Sequence, residues 1–373
     1  MKTIRYGLAG TGMMGHEHIR NIALLDDAVV SAVFDPDDTM REAALSMVPD
    51  AKAHPTFAAL AADPDIDCLL VASPNYLHLE QLEVALEHRC LPVLVEKPLF
   101  TRPADAERVA RLAARSPAIW VAMEYRYMPP IAAFIQNAHL ATGGVQMLTI
   151  REHRYPFLPK VNDWNRFNRY TGGTLVEKCC HFFDLMRLIV GDDPVRVMAS
   201  AGQAVNHRDE RYAGKAPDIW DHGYVIVDFA GGTRAMLELC MFADGSRFQE
   251  EISAVGADGK IEVHVPGPTR FWPEHLGAPP VAEVIVSPRE PKGPREVLVP
   301  VDQTLLEAGD HNGATFYQHR RFADAVRTGS RPEVTLRDGA MAVAIGLAAQ
   351  HSAENGEAVP LDPNAFRPKM SAS

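Results

Sequence analysis

In the first third of the chain, short apolar runs alternate with segments whose apolar residues recur at helical spacing. The runs predict buried strands, and the intervening segments predict helices. This alternation is typical of an α/β fold with a doubly wound parallel sheet. The predicted strands are Ile4–Ala9, Ala28–Phe34, 68–72, Val93–Val95 and 120–123, and the predicted helices are 14–25, 40–47, a short one capped by Thr56, 77–88 and 103–115.

Beyond Glu124 the pattern predicts a different architecture. A strand over 147–154 and a helix over 175–190 come first, followed by two hairpins around Gly231-Gly232 and Asp258-Gly259. Residues 266–300, rich in proline and glycine, predict loop with short strands, and helices over 315–327 and 337–353 close the chain. These segments predict a second domain whose strands are mostly antiparallel.

Composition and charge limit the classes of function that this chain could have. A chain of 373 residues with 47% hydrophobic and 23% charged residues is typical of a globular protein of two or three domains. A net charge of −11 disfavours general binding to nucleic acid, because a phosphate backbone needs a basic surface. No run reaches the ~20 apolar residues of a membrane span. The first predicted strand begins within a few residues of the start, so no signal peptide is expected.

The five cysteines, at positions 68, 90, 179, 180 and 240, are odd in number and lack the spacing of zinc ligands. They predict neither disulfides nor a metal site. We therefore expect a reducing compartment, the cytoplasm.

The run Gly10-Thr11-Gly12-Met13-Met14-Gly15 joins the first predicted strand to the first predicted helix. In that context Gly10 permits a tight turn, Gly12 lets the backbone approach a pyrophosphate, and Gly15 lets the helix pack on the strand. The N-terminus of the helix then binds the phosphates. Asp35 ends the second strand, 20 residues past Gly15. A carboxylate there accepts hydrogen bonds from ribose hydroxyls and repels a 2′-phosphate, so the predicted cofactor is NAD rather than NADP.

Two further strand ends carry polar residues. Ser73-Pro74-Asn75, with His78 after it, follows one strand, and Glu96-Lys97-Pro98 follows the next. Ligands of such sheets bind outside the carboxyl ends of the strands, so both groups are candidates for the binding cleft. The alternative for Glu96-Lys97 is a surface ion pair.

On the predicted helix after Gly172-Gly173, Glu177, His181 and Asp184 fall at i, i+4 and i+7, along one stripe. Lys178 lies within a turn of His181. On a helix that is otherwise apolar, charged groups need partners or a water-filled cleft, so this stripe is a candidate site. The alternative is a half-exposed helix whose polar face is solvated, because such a helix has the same pattern.

Taken together, these motifs resemble the Gfo/Idh/MocA oxidoreductases, which include inositol, glucose–fructose and other sugar dehydrogenases. The resemblance extends over nearly the whole chain. It implies a Rossmann domain over residues 1–123 and a second α/β domain over 124–336, built on a large open, mostly antiparallel sheet, for substrate binding and oligomerisation. It further implies a C-terminal helix, about 337–355, that packs back on the first domain, and a homodimer or homotetramer.

The resemblance also assigns catalytic roles. Lys97, followed by a cis proline at Pro98, would hydrogen-bond the reacting hydroxyl beside the nicotinamide, and His181 would take the hydroxyl proton. Asp184 would be a structural or orienting partner rather than a proton acceptor. The chain departs from the family at Glu177, where the usual residue is Asp, and at Lys178, where it is apolar. Glu177 would orient His181 or contact the substrate.

Other candidates come from loops that line the cleft in the family, and for them a structural role is the alternative. Arg154, Tyr155 and Lys160 would bind a polar or anionic sugar substituent. The predicted cofactor-binding residues are Gly10, Thr11, Gly12, Met13, Met14, Asp35, Ser73, Asn75, His78, Glu96, Lys97, Arg126 and Trp164. The predicted substrate-binding residues are Lys97, Tyr125, Arg154, Trp164, Arg166, Glu177, Lys178, His181, His311 and Tyr317.

Three functions are consistent with this set. The first is an NAD-dependent dehydrogenase that oxidises a secondary ring hydroxyl of a sugar, inositol or related polyol. The second is an NAD-dependent glycosidase, which oxidises the ring transiently, eliminates the anomeric group, adds water and re-reduces the ketone, with Glu177 or Lys178 as an extra acid or base. The third is a non-catalytic sensor like the family's galactose-responsive corepressor, against which the presence of both Lys97 and His181 argues.

Overall fold

The computed structural model describes residues 2–115 and 118–366, and it contains two β-sheets. Met1, the start of the predicted first domain, lies outside the described residues. The first sheet is parallel throughout and has the strand order β3-β2-β1-β4-β5-β6. Its strands are β1 (Ile4–Ala9), β2 (Ala28–Phe34), β3 (Lys52–Ala53), β4 (Cys68–Val71), β5 (Val93–Val95) and β6 (Ile119–Val121).

Helices connect these strands, which confirms the predicted doubly wound sheet. They are α1 (Met13–Ile22), α2 (Asp38–Met47), α3 (Phe57–Ala61), α4 (His78–His88) and α5 (Ala106–Arg115). The Thr56 hydroxyl accepts the backbone N–H of Ala59 and caps α3 as predicted. Strand β3, only two residues long, was not predicted, because so short a segment carries no periodic pattern.

The second sheet has nine strands in the order β14-β13-β12-β11-β7-β10-β9-β8-β15. Only β7 and β10 pair in parallel among its described strands; the other neighbours are antiparallel. This confirms the predicted open, mostly antiparallel sheet. Its strands are β7 (Met147–His153), β8 (Pro194–Gly202), β9 (His222–Phe229), β10 (Arg234–Cys240), β11 (Glu250–Val255), β12 (Gly259–Val265), β13 (Glu283–Pro288), β14 (Arg295–Leu298) and β15 (Val359–Pro360).

Seven helices accompany this sheet in the described residues: α6 (Pro129–Thr142), α7 (Asn168–Thr171), α8 (Thr174–Glu177), α9 (Cys180–Val190), α10 (Gln303–Ala308), α11 (Ala314–Thr328) and α12 (Leu336–Asn355). The prediction of one helix over 175–190 was wrong, because the chain interrupts it at Lys178 and Cys179. A continuous helix would use the Glu177 carbonyl for the N–H of His181. Here that carbonyl accepts a hydrogen bond from the Lys97 amine instead.

The last long helix, α12, lies between the two sheets. A side chain at Gly339 would meet Val121 on β6, and one at Gly346 would meet the backbone of Leu175 on α8. On its other side the Ser352 hydroxyl accepts the N–H of Ala199 from β8. Helix α12 therefore connects the edge of the first sheet with the segment that carries Glu177. None of the helices among the described residues has the length and apolarity to cross a membrane.

The close packing at Gly346 gives a test of this arrangement. Gly346→Ala would place a Cβ 2.6 Å from the carbonyl oxygen of Leu175. We expect the variant to lose about 1–3 kcal/mol of unfolding free energy, because backbone must move to admit the methyl group. Helix propensity alone would stabilise it by about 1 kcal/mol. Denaturant unfolding measures the difference, and His351→Ala, at an exposed position of the same helix, should stay within about 0.5 kcal/mol of wild type.

Candidate active site

The three glycines after β1 have the geometry that a dinucleotide needs. Gly10 has φ +88°, and a Cβ on it would lie 2.4 Å from the backbone nitrogen of Ser73. A Cβ on Gly15 would lie 2.3 Å from the Gly10 carbonyl, so helix and turn pack too closely for any side chain. A Cβ on Gly12 would meet no protein atom within 4 Å, because this position faces open space. The turn therefore presents bare backbone to the crevice at the N-terminus of α1, which suits a pyrophosphate.

A crevice of about 860 Å³ extends from this turn along the carboxyl ends of the strands. Of the predicted cofactor-binding residues, it is lined by Gly10, Gly12, Met13, Met14, Asp35, Ser73, Asn75, Glu96, Lys97 and Trp164. Apolar residues that the sequence analysis did not single out, such as Phe34, Met40 and Phe57, complete the wall next to Asp35. Phe34 ends β2, Met40 lies on α2 and Phe57 begins α3. The sequence did not show that the packing of these elements brings the three side chains next to Asp35.

Asp35 is held in a fixed orientation at the end of β2. Its Oδ2 accepts the Thr11 backbone N–H at 2.7 Å and the Thr11 hydroxyl at 3.1 Å, and its Oδ1 accepts the N–H of Asp37 at 2.9 Å. The carboxylate thus ties β2 to the glycine turn and remains on the crevice wall. With the bare turn, this carboxylate fits NAD.

Three predicted cofactor-binding residues lie outside the lining of the crevice. Thr11 is buried behind Asp35. His78 is buried too, and its ring nitrogens contact the carbonyls of Pro98 at 2.8 Å and Ser73 at 2.9 Å. Arg126 forms a two-pronged ion pair with the fully buried Asp184. His78 therefore connects the two strand-end motifs, while Arg126 and Asp184 connect the turn after β6 to α9.

Lys97 lies at the end of β5, and its peptide bond to Pro98 is cis, as predicted. Lys97 lines the crevice, and its amine donates a hydrogen bond to the Glu177 carbonyl at 3.1 Å. The neighbouring Glu96 is buried and pairs with His18 on α1 at 3.1 Å. The tip of β5 and the interrupted helix therefore meet at Lys97.

His181 lies next to this point, buried on the first turn of α9. Its ring stacks on Tyr125, with centroids 4.1 Å apart and planes within 10° of parallel. Burial lowers the pKa of the imidazole well below 6.5, and the charges of Lys97, Lys178, His311 and Arg154 lower it further. The ring is consequently neutral at physiological pH and able to accept a proton.

Glu177 reaches a second lysine. Its Oε1 lies 3.6 Å from the amine of Lys160, and its buried Oε2 has no hydrogen-bond partner within the described residues. Lys160 also lies 4.6 Å above the ring of Trp164, which contacts Tyr76 edge to face. The loop that carries Lys160 and Trp164 thus lies across the crevice, beside Glu177.

Lys178 lies in a buried cluster beneath His181. Its amine contacts Glu152 at 2.8 Å and the Tyr125 hydroxyl at 2.5 Å. Burial, helped by the charge of Arg154, lowers the pKa of Lys178 to about 8. Glu250 faces Glu152 across β7 and β11, and burial together with that carboxylate raises the pKa of Glu250 to about 7. Both groups therefore titrate close to neutrality.

The remaining predicted substrate contacts are divided between the site and the scaffold. Arg154 stacks over Tyr155 at 4.4 Å and lies 3.5 Å from Glu152. His311 lies near Tyr125, with ring centroids 6.1 Å apart. Arg166 is instead buried in an ion pair with Glu210, and Tyr317 packs against Phe316 and Arg320. The structure brings Arg154 and His311 towards His181 and leaves the other two in structural contacts.

Sequence reasoning missed the buried carboxylates of this region: Glu17, Glu124, Glu152 and Glu250. One signal was available in the sequence. Glu152 follows Leu148 and Ile150 at a spacing of two residues, so it lies on the same buried face of β7, where an acidic residue is unusual. Within the described residues no group of three or more His, Cys, Asp or Glu side chains could hold a metal ion.

Family models match the chain over most of its length. Residues 4–125 match the model of the oxidoreductase family with an NAD-binding Rossmann fold, and residues 141–361 match the C-terminal α/β domain of the same family, Gfo/Idh/MocA. Among curated proteins, myo-inositol 2-dehydrogenase of Thermotoga maritima is 26% identical over 364 residues, covering 96% of this chain and 99% of that protein.

Solved structures share the fold. An oxidoreductase domain protein of Kribbella flavida superposes with a TM-score of 0.79 at 21% identity, covering 97% of this chain and all of that one. Myo-inositol dehydrogenase of Lactobacillus casei, in complex with NAD(H) and myo-inositol, has a TM-score of 0.72 at 21% identity, with coverage of 96% and 97%. With both family models matched and the glycine turn, Asp35 and Lys97 in one crevice, the chain belongs to the Gfo/Idh/MocA family and is an NAD-dependent oxidoreductase.

Proposed function

We propose that this protein oxidises a secondary ring hydroxyl of a sugar, inositol or related polyol. The observation that carries the proposal is the position of Lys97, which lines the NAD crevice and contacts the segment that leads to His181. Lys97 contacts the Glu177 carbonyl at 3.1 Å, and its charge is the strongest of those acting on the buried ring of His181. The names of the relatives, inositol 2-dehydrogenases among them, support a cyclic polyol as substrate.

In this proposal the two side chains divide the work on the reacting hydroxyl. The Lys97 ammonium donates a hydrogen bond to the hydroxyl oxygen and stabilises the negative charge that develops there. The neutral imidazole of His181 accepts the hydroxyl proton. Tyr125 holds the plane of that imidazole through the stacked contact at 4.1 Å.

NAD, when bound, supplies the acceptor for the hydrogen and two electrons that leave the carbon. The other residues of the site bind the cofactor and exclude water. The backbone around Gly12 binds the pyrophosphate, and Asp35 binds the adenosine ribose. The loop with Lys160 and Trp164 lies over the crevice and shields the reacting groups from solvent.

The proposal predicts that both side chains are needed for oxidation. His181→Asn and Lys97→Met should each lower kcat/KM by about 10²–10⁴-fold, the range for a lost proton-transfer or charge-stabilising group. NADH formation at 340 nm over a panel of inositols and sugars measures the effect.

Lys292→Met, at an exposed position between β13 and β14, is the matched control and should keep wild-type rates. A wild-type protein that binds NAD but forms no NADH on any member of the panel would contradict the proposal and favour a sensor. Full activity in His181→Asn would remove His181 from the mechanism.

The pH profile follows from the electrostatics of His181. Because its pKa lies well below 6.5, the ring stays unprotonated, and thus active as a base, down to acid pH. We expect kcat/KM for NADH formation to stay constant as the pH falls through 6.5 and to decline only below it. Lys178→Gln, which removes one of the cations acting on the ring, should move the acid limb to higher pH. A wild-type midpoint at or above 6.5 would contradict this account.

A second candidate is the NAD-dependent glycosidase, and two observations favour it. That reaction needs an acid or base beyond Lys97 and His181. The Oε2 atom of Glu177 is buried without a partner in the described part of the chain, and the pKa of Lys178 is about 8. Lys178 therefore has a pKa suited to proton transfer near neutral pH, and Glu177 has an oxygen that no protein group occupies among the described residues.

The glycosidase predicts cleavage of a glycoside with catalytic NAD, no accumulated NADH, and loss of deuterium from C2 to solvent. Glu177→Gln should lower that cleavage by about 10²-fold or more. A glycoside panel followed by product analysis and NMR decides the question. Cleavage that persists at the wild-type rate in Glu177→Gln would exclude Glu177 as the extra acid or base.

A further inference from the structure

A buried network of carboxylates surrounds His311, in the loop between α10 and α11. The Nδ1 atom of His311 lies 2.6 Å from Glu17 Oε1 on α1 and 3.5 Å from Glu124 Oε1 after β6. Both carboxylates are almost fully buried, with 4% and 1% of their surfaces exposed. Because a carboxylate only accepts hydrogen bonds, the proton of this contact lies on Nδ1.

The surrounding chain fixes this network in place. The Thr315 hydroxyl on α11 lies 2.6 Å from Glu124 Oε2 and 3.2 Å from Glu17 Oε1. A side chain at Gly309 would come within 2.2 Å of Glu17 Oε1, so the loop backbone lies directly against that carboxylate. Glu17 and Glu124 therefore have no room to turn away from His311.

The network determines the charge of the His311 ring. Burial alone would lower the pKa of the imidazole, but the charges of Glu17 and Glu124 outweigh it and raise the pKa to about 9. His311 is thus an imidazolium at neutral pH. Its Nε2, which makes no hydrogen bond within the described residues, then carries a proton and can only donate.

Part of this ring is accessible, and the ring lies close to the residues around His181. His311 keeps 21% of its side chain accessible, and its ring lies 6.1 Å from that of Tyr125, which stacks on His181. The four strongest charges that act on His181 are cations: Lys97, Lys178, His311 and Arg154. The dominant charges around the His181 ring are therefore positive, in a protein whose net charge is −11. Such a cleft attracts an anion and gains less from a neutral ligand.

We propose that His311 is a specificity-determining residue, held as an imidazolium by Glu17 and Glu124 so that its Nε2–H binds a carboxylate carried by the sugar or polyol substrate. A carboxylate matches this donor in two ways. It is an acceptor without a competing proton, and its charge complements the surrounding cations. A neutral hydroxymethyl group in the same place could accept the Nε2–H hydrogen bond but would bring no charge to it, so the bond would be weaker.

The test compares two probes that differ only at C6, D-glucuronate and D-glucose. Each is titrated calorimetrically into the full-length protein saturated with NADH. At pH 7 we expect glucuronate to bind about 10- to 100-fold more tightly, the range for a charge-assisted hydrogen bond in such a site. The preference should disappear as the pH rises through about 9, where the ring loses its proton. The groups that face His311 and enter this titration are Glu17, Glu124, Tyr125, Lys178 and His181.

Two variants separate binding from structure. His311→Gln keeps an amide donor but no charge, and it should lose most of the glucuronate preference. Glu17→Gln removes the carboxylate that holds the proton, so the preference should disappear at a lower pH than in wild type. A purely structural Glu17 would change stability without moving that pH. His351→Gln, an exposed histidine on α12, is the control and should behave as wild type.

Equal affinity of the wild type for the two probes at pH 7, no binding of either probe, or an unchanged preference in a folded His311→Gln variant would overturn the proposal. The inference rests on the proposed function, because it assumes a sugar or polyol in this cleft. The two fail differently. A glucuronate preference without NADH formation from any polyol would overturn only the oxidation, whereas NADH formation without a carboxylate preference would overturn only the role of His311.

Discussion

The hydrogen bond from the Lys97 amine to the Glu177 carbonyl is the contact on which the site depends. It joins the end of β5 in the first sheet to the break between α8 and α9 beside the second. A helix leaves its last carbonyls without internal partners, and here the interruption makes one of them available to a lysine from elsewhere in the fold. His181 lies in the first turn of the next helix, so the same break places it about one turn from the carbonyl that Lys97 binds.

The second constraint is electrostatic. Buried charges are costly unless they are paired. In this site the cations surround His181, and carboxylates contact those cations from the other side. Cations lie around His181 and keep it neutral, while carboxylates such as Glu152 and Glu17 lie behind Lys178 and His311 and balance their charge. The neutral state of the His181 ring and the burial of the cations around it are therefore two results of one arrangement.

The structure shows what Glu177 and Lys178, the two residues that depart from the expected family pattern, contact. Glu177, longer than the usual aspartate, reaches Lys160 in the loop over the crevice. Lys178 points away from that loop to Glu152 and the Tyr125 hydroxyl, in a cluster whose protonation changes near neutral pH. These two neighbouring residues thus join the loop along the crevice to the buried cluster around Glu152.

The amino-acid sequence was sufficient to predict the parallel sheet, the mostly antiparallel second sheet and the NAD site, because strand alternation, the glycine turn and Asp35 are local patterns with local physical causes. It also indicated Lys97 and His181 through the family resemblance. The folded structure was needed to show that the helix breaks at Lys178, that Arg126 pairs with Asp184, and which carboxylates surround His311. Those contacts join residues far apart in the chain, and no periodic pattern encodes which buried charge will meet which. Their energies depend on burial and distance, and both are properties of the folded molecule alone.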